Sequence, residues 1–129
     1  MGRIEVSVDE AAGITINRAY GEVDFSEIDD RIMQFYKEKF TKHVIWDFSG
    51  ISKMNATSEE IMSLAKKTSV YGESRKGGCN AIVVQANLIY GLSRMYELYS
   101  DSTNSPQKNG VFHTLENALK WVKEQEVKG

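Results

Sequence analysis

Apolar and polar positions follow two periods along the chain, and the shorter period predicts the strands. In RIEVSV, Ile4, Val6 and Val8 alternate with polar residues, and GITINRAY repeats this alternation after the linking segment DEAAG. A period of two residues is typical of a half-buried strand, so these segments predict an antiparallel hairpin. The apolar runs HVIWDF, NAIVVQA and NGVFHT predict three more strands, with NAIVVQA, the most apolar, in the central position. The predicted strands are 4–8, 13–20, 43–48, 80–86 and 109–113.

Four other segments place apolar residues three or four positions apart, which is the spacing of one helix face. In the second segment Thr57 stands three residues before Glu60, the pattern of a capping box, and Gly72 is placed to end the helix. Thr114 is placed as the N-cap of the last helix. The apolar positions are Phe25, Ile28, Ile32, Phe35 and Tyr36 in the first helix, Leu88, Leu92, Met95, Tyr96 and Tyr99 in the third, and Leu115, Ala118, Leu119 and Val122 in the fourth.

The predicted order of elements, ββαβαβαβα, restricts the fold. After the hairpin, strands and helices alternate, and this alternation requires crossover connections between parallel strands. The opening hairpin adds one antiparallel pair. The sequence therefore predicts an α/β (α+β) fold, with a mixed five-stranded sheet covered by helices, in a single domain over residues 1–129.

Composition removes several classes of function. The chain has 16 basic and 18 acidic residues and a net charge of −2, and its basic residues are scattered, so we expect no nucleic-acid binding. Its one cysteine, Cys79, excludes an internal disulfide and fits a reducing compartment. The sequence shows no signal-peptide core and no run of about 18 apolar residues, so we expect a cytoplasmic protein without stable membrane insertion.

Motifs for catalysis or cofactor binding do not stand out. The sequence lacks a P-loop and the GxGxxG, HExxH and GxSxG patterns. His43 and His113 flank predicted strands, and Cys79 has no CxxC partner, so a structural role is favoured for each. We therefore predict a non-enzymatic protein without cofactor or metal. An enzyme using Asp47 or a histidine is the weakest alternative.

The best polar constellation lies in HVIWDFSGISKMNATSEEI, at the end of a predicted strand and the start of a helix. Asp47 can accept backbone N–H bonds from a turn at Ser49-Gly50, and Thr57 can cap the helix. Ser58 is then exposed in the first turn, near the positive end of the macrodipole, which makes it the candidate phosphoacceptor. A solvated loop is the plain alternative for Asn55 and Ser58. The predicted partner-binding residues are Asp47, Ser49, Asn55, Thr57 and Ser58.

The segment VIWDFSGISKMNATS resembles the central part of STAS domains, the SpoIIAA-like anti-sigma-factor antagonists. Their pattern is an apolar strand, Asp-Leu-Ser-Gly, an apolar stretch, and Asp-Ser-Ser-Gly at the start of a helix. The predicted order of elements is also that of the family, so the resemblance spans nearly the whole chain. IYGLSRMYELY and GVFHTLENALKWV are similar to small bacterial proteins that combine STAS-like and CRAL-TRIO-like features, most of which have no assigned function.

The resemblance departs from the family at the switch position. Asp47 to Gly50 match Asp-Leu-Ser-Gly, and Asn55 falls where the family has Asp. Ala56 falls on the phosphorylated Ser and has no hydroxyl, so the usual phospho-switch cannot operate there. Thr57 falls on the second Ser, and Ser58 on the Gly. The resemblance therefore implies a regulatory, protein-interaction module with a degenerate phospho-switch loop.

Two further expectations concern ligands and partners. The CRAL-TRIO-like relatives suggest an alternative function, the binding of a small apolar, lipid-like ligand in a pocket lined by Leu88, Leu92, Met95 and Tyr96. The expected partner is a protein, and a homodimer is one option, because the helices carry more large groups than one core stripe requires. These groups are Tyr36, Met62, Tyr71, Tyr90 and Trp121.

Overall fold

A computed structural model describes residues 2–38, 40–85, 87–102 and 106–128 of the chain, with the side chains at 87–90, 92, 102, 127 and 128 outside this description. Five strands and four α-helices follow one another in the predicted order. A short 3-10 turn, Gly72–Arg75, follows the second helix. The elements are β1 (Arg3–Asp9), β2 (Ile14–Asp24), α1 (Phe25–Lys37), β3 (His43–Asn55), α2 (Ser58–Tyr71), β4 (Cys79–Val83), α3 (Asn87–Ser102), β5 (Lys108–Phe112) and α4 (Leu115–Lys128).

The strands form one mixed sheet in the order β1-β2-β3-β4-β5. β1 pairs antiparallel with β2, and β2 to β5 are parallel to one another. The three crossovers all step in the same direction, and crossovers of this kind are almost always right-handed, so α1, α2 and α3 share one face of the sheet. α4 packs on the other face. The predicted fold class is confirmed.

Two apolar cores, one on each face of the sheet, hold these layers together. Successive side chains of β3 point to opposite faces, so Trp46 packs towards α1 and α2 while Ile45 packs towards α4. Both are buried, which explains why HVIWDF is a continuous apolar run rather than an alternating one. The helices contribute Ile28, Phe35 and Leu64 to the first core and Ala118 and Val122 to the second.

Two strand predictions differ from the structure in detail. β3 continues through the expected turn at Ser49-Gly50 as far as Asn55, because β2 also extends, to Asp24, and supplies a backbone partner for this polar stretch. Register shifts, typical of β-bulges, occur in this pair where a turn was expected. NAIVVQA is an interior strand, as predicted, but β3 rather than β4 is central, and β4 ends at Val83. Residue 86 lies outside the described residues.

The predicted helices and their caps are confirmed. Thr57 caps α2, Gly72 ends it, and Thr114 Oγ1 accepts the backbone N–H of Asn117 at the start of α4, at 3.1 Å. Within the described ranges, no helix combines the length and apolar character needed to cross a membrane.

Candidate functional site

The junction between β3 and α2 presents a helix N-terminus held by two reciprocal hydrogen bonds. The Glu60 backbone N–H donates to Thr57 Oγ1 at 3.1 Å, and the Thr57 backbone N–H donates to Glu60 Oε1 at 2.9 Å. This capping box satisfies two N–H groups that a helix start otherwise leaves without intrahelical partners. Thr57, Ser58 and Glu59 are exposed around it. These hydrogen bonds fix the backbone at the start of α2.

Asn55 joins this helix start to the start of α1. β2 and β3 are parallel and end side by side, so Asp24 is paired in register with Asn55. The Asn55 amide nitrogen donates to Asp24 Oδ1 at 2.7 Å and to Glu22 Oε1 at 2.9 Å. Sequence analysis identified Asn55 but missed both carboxylates, because they lie more than thirty positions earlier in the chain.

We call the group Glu22, Asp24, Asn55, Thr57, Ser58 and Glu59 the junction surface. It combines two helix N-termini, which carry partial positive charge, with three carboxylates. These side chains can accept hydrogen bonds and pair with cations. Ala56, half-buried within the surface, has no hydroxyl at the position that the resemblance assigns to the phosphorylated Ser.

Asp47 and Ser49 belong to a different place. The backbone N–H and the hydroxyl of Ser49 donate to Asp47 Oδ1 at 3.0 and 2.6 Å. Asp47 is buried, and these bonds hold the register shift of β3 opposite β2. Asn55 lies eight positions after Asp47 along the strand, roughly 26 Å away at the usual rise per residue. The structure therefore splits the predicted constellation in two.

The two histidines lie at opposite ends of the parallel strands and do not converge. His43, at the start of β3, accepts the Cys79 backbone N–H at Nδ1, at 3.0 Å, so the ring proton lies on Nε2 and is donated to Glu126 Oε2 at 2.8 Å. His113, after β5, bonds through Nδ1 to the Val84 carbonyl at 3.1 Å. Both histidines have structural contacts at strand ends, which is the role favoured from the sequence.

Cys79 is fully buried. Burial raises the pKa of its thiol, which keeps the sulfur protonated and poorly reactive. Among the described residues, no group of three or more His, Cys, Asp or Glu side chains is placed to hold a metal ion.

A mainly apolar cavity of about 80 Å³ lies between the sheet and helices α1, α2 and α3. Tyr96 lines it, as expected, and its hydroxyl bonds to Thr68 Oγ1 at 2.8 Å. Burial raises the pKa of this hydroxyl. Met95 is half-buried but does not line the cavity, because it lies one position away on the helix and faces another direction. The side chains of Leu88 and Leu92 lie outside the described residues.

A buried cation, Arg75, reaches the same cavity from the 3-10 turn after α2. Its guanidinium donates to the carbonyls of Thr41, Lys42 and Cys79, to Asn80 Oδ1 and to the Tyr36 hydroxyl. The described part of the chain places no carboxylate against it. Sequence analysis missed Arg75, because nothing in GESRKGG distinguishes a buried arginine from a solvated one.

Comparison with known proteins identifies the fold. No family model and no curated protein matches the chain. An anti-sigma factor antagonist from Mycobacterium paratuberculosis superimposes with a TM-score of 0.64 at 17% identity, over 95% of each chain. SpoIIAA in its unphosphorylated form gives 0.57 at 14% identity, over 94% of this chain and 98% of that one. An uncharacterised protein with a SpoIIAA-like fold from Shewanella loihica gives 0.55 at 14% identity, over 94% and 93%. The chain has the SpoIIAA-like fold, which confirms the resemblance to STAS domains at the level of the fold.

Proposed function

We propose that this protein, built on the SpoIIAA-like fold, is a non-enzymatic regulatory module of the cytosol that acts by binding a protein partner. The observation that carries the proposal is the structural match, over 95% of each chain, to a protein named as an antagonist of an anti-sigma factor. The partner is then of the anti-sigma-factor type.

The junction surface is the proposed contact. Its residues are exposed or half-exposed, and its backbone is fixed by the capping box and by the Asn55 bonds to β2. A fixed surface loses little conformational freedom when a partner binds. Its three carboxylates favour a partner that offers basic side chains. Asp47 and Ser49 then support the strand rather than touch the partner.

The test is a binding assay against the anti-sigma factors of the protein's own host, with a matched pair of variants. Glu59 and Glu116 are both the second residue of a helix whose N-cap is a threonine, and both are exposed. We expect Glu59→Arg to weaken binding and Glu116→Arg, on the opposite face, to leave it unchanged. Equal effects of the two substitutions, or no effect of either, would contradict the proposed contact.

The loop is proposed to work without phosphorylation. Ala56 cannot accept a phosphate, and a phosphate on Ser58 would add about −1.5 to −2 charges beside Glu59 and Glu60, which offsets the favourable helix dipole. We expect no phosphate on this loop in protein isolated from its host. Mass spectrometry that finds a phosphopeptide spanning Lys53 to Lys66 at appreciable occupancy would overturn this expectation.

The cavity supports a second candidate function, the binding of a small amphipathic molecule. Its volume of about 80 Å³ exceeds the roughly 10–15 Å³ that one buried water needs, so it admits a short chain or the end of a longer one. A buried charge without a counter-ion is costly, and Arg75 lines this cavity with neutral partners only among the described residues. A ligand with an apolar body and a carboxylate head fits both features.

Native mass spectrometry of freshly purified protein is the first test, since a retained acid would appear as added mass. Titration with hexanoate and with 1-hexanol is then monitored by the fluorescence of Trp46 in the cavity wall. Comparing the two affinities distinguishes the contribution of the ligand's charge from that of its apolar chain. We expect hexanoate to bind more tightly, and Arg75→Met to abolish the difference while 1-hexanol still binds. Equal affinity of the unsubstituted protein for the two probes would contradict the role given to Arg75. If neither probe bound, the second candidate function would be wrong.

A further inference from the structure

The outer edge of β1 is a second surface, separate from the junction surface and from the cavity. β1 pairs with β2 through all seven residues, and no described element pairs with its other edge. The side chains of β1 are exposed apart from half-buried Ile4, and Val6 and Val8 are 45% and 53% exposed. A long edge strand with exposed apolar residues is a template for pairing with another strand.

We propose that this edge pairs antiparallel with the same edge of a second copy of the chain, joining the two sheets. The sequence of β1, RIEVSVD, is complementary to itself when read in the opposite direction. With Val6 on the two-fold axis, Ile4 faces Val8 of the second copy. Arg3 faces Asp9, and Glu5 faces Ser7. Every position then meets an apolar, oppositely charged or neutral polar partner, and each pair except Val6 with Val6 occurs twice.

The faces of the strand agree with this register. Ile4, Val6 and Val8 point to the face that carries α1 to α3, because they pair with Ala19, Asn17 and Thr15 of β2. In the dimer these three side chains and their three counterparts would form one continuous apolar strip. Arg3, Glu5, Ser7 and Asp9 point to the other face, where charge pairs remain in contact with water.

The strand at the opposite edge of the sheet, β5, is not complementary to itself in this way. β5, KNGVF, is shorter, and antiparallel self-pairing about Gly110 would set Lys108 against Phe112. Self-complementarity is therefore particular to β1, and it favours a second copy over an unrelated strand. A two-fold arrangement of this kind closes on itself and does not propagate into fibres.

One strand from each copy buries less than the roughly 800 Å² per partner of a stable interface, so the dimer is weak. Sedimentation of the full chain from about 10 μM to about 1 mM should show a reversible monomer–dimer equilibrium. A monomer of 14.6 kDa throughout this range would overturn the proposal.

Cysteine crosslinking tests the register. Residues that face each other across an antiparallel pair have Cα atoms about 4.5–5.5 Å apart, which a disulfide spans. Val6→Cys puts two thiols across the axis, whereas Val8→Cys, at a similarly exposed site, puts them about 13 Å apart. In a glutathione buffer, where oxidised glutathione takes up the two electrons and protons, Val6→Cys should crosslink far more than Val8→Cys. Cys79 is buried and does not compete. Equal crosslinking of the two variants would contradict this register.

A charge pair at Ser7 provides an independent check. Ser7→Lys creates two attractions to Glu5 of the other copy, and Ser7→Glu creates two repulsions at the same exposed place. We expect the dissociation constant to fall severalfold for the first variant and to rise severalfold for the second. Denaturant unfolding in dilute solution separates these changes from effects on the monomer. A shift in the same direction for both variants would overturn the register.

Discussion

At the residue scale, the side chain of Thr57 has a measurable structural task. It accepts the Glu60 backbone N–H at the start of α2. We expect Thr57→Ala to lower the free energy of unfolding by about 1 kcal/mol through loss of the cap. Ser58→Ala, one position along and exposed, should change it by less than about 0.5 kcal/mol. Denaturant melts of both variants provide the measurement. Equal melts for Thr57→Ala and the unsubstituted protein would mean that the cap contributes nothing.

Glu126 makes one part of the stability depend on pH. The hydrogen bond from His43, and then that from Lys42, lower the pKa of its carboxyl group. A carboxyl whose pKa is lower in the folded state stabilises that state above the unfolded value of about 4.3, and this stabilisation is lost as the pH falls through the folded value. We expect Glu126→Gln to be less stable than the unsubstituted protein near pH 7, with a smaller difference at about pH 3. Urea unfolding at the two pH values measures this. A difference that stays constant with pH would argue against the bonds from His43 and Lys42 to this carboxyl group.

Single residues were predictable from the sequence where their role is local. The cap at Thr57 depends on a spacing of three residues, and the missing hydroxyl at Ala56 is read directly. Arg75 and the partners of Asn55 were not predictable, because burial and long-range contacts arise only when distant segments pack. Half of the residues of the junction surface were therefore predictable from the sequence. The buried Arg75 that lines the cavity was not.

At the element scale, alanine substitutions at two glycines distinguish the effect of close packing on stability from the effect of backbone entropy. A Cβ on Gly78, just before β4, would lie 2.1 Å from the Lys42 carbonyl oxygen, whereas a Cβ on Gly91, in α3, would meet nothing within 4 Å. We expect Gly78→Ala to destabilise the protein by about 1–3 kcal/mol. Gly91→Ala should stabilise it by about 0.5–1 kcal/mol, because alanine favours the helix. Thermal or chemical melts of the two variants check the signs, and a stabilising Gly78→Ala would contradict the close approach.

The elements themselves followed from their periods, with one informative failure. Residues 49–55 have neither the alternation nor the apolar content of a strand, and they are nevertheless part of β3. Backbone pairing with the extended end of β2 holds them, and that pairing depends on a segment thirty residues away. Local sequence therefore predicted the apolar half of β3 and missed the polar half that carries the junction surface.

At the scale of the whole molecule, protection from solvent should fall from the centre of the sheet to its free edge. β3 and β4 are covered by helices on both faces, and β1 has an open edge. In dilute solution, we expect amide hydrogen exchange to be slowest around Ile45 and Ile82 and fastest among the strands in β1. Exchange in β1 as slow as in β3 at high dilution would contradict this order.

The parallel strands lie side by side in the order of the sequence, so we expect the protein to assemble strand by strand as it is synthesised. Each strand that emerges finds its neighbour already made, so the sheet can grow without waiting for a later segment. The face under α4 is the exception, since Ile14, Ile45 and Val83 stay open to water until the helix that covers them has been synthesised. We therefore expect the nascent chain to be most vulnerable to aggregation after β4 has emerged and before α4 has, which is the stage at which a chaperone would help it most.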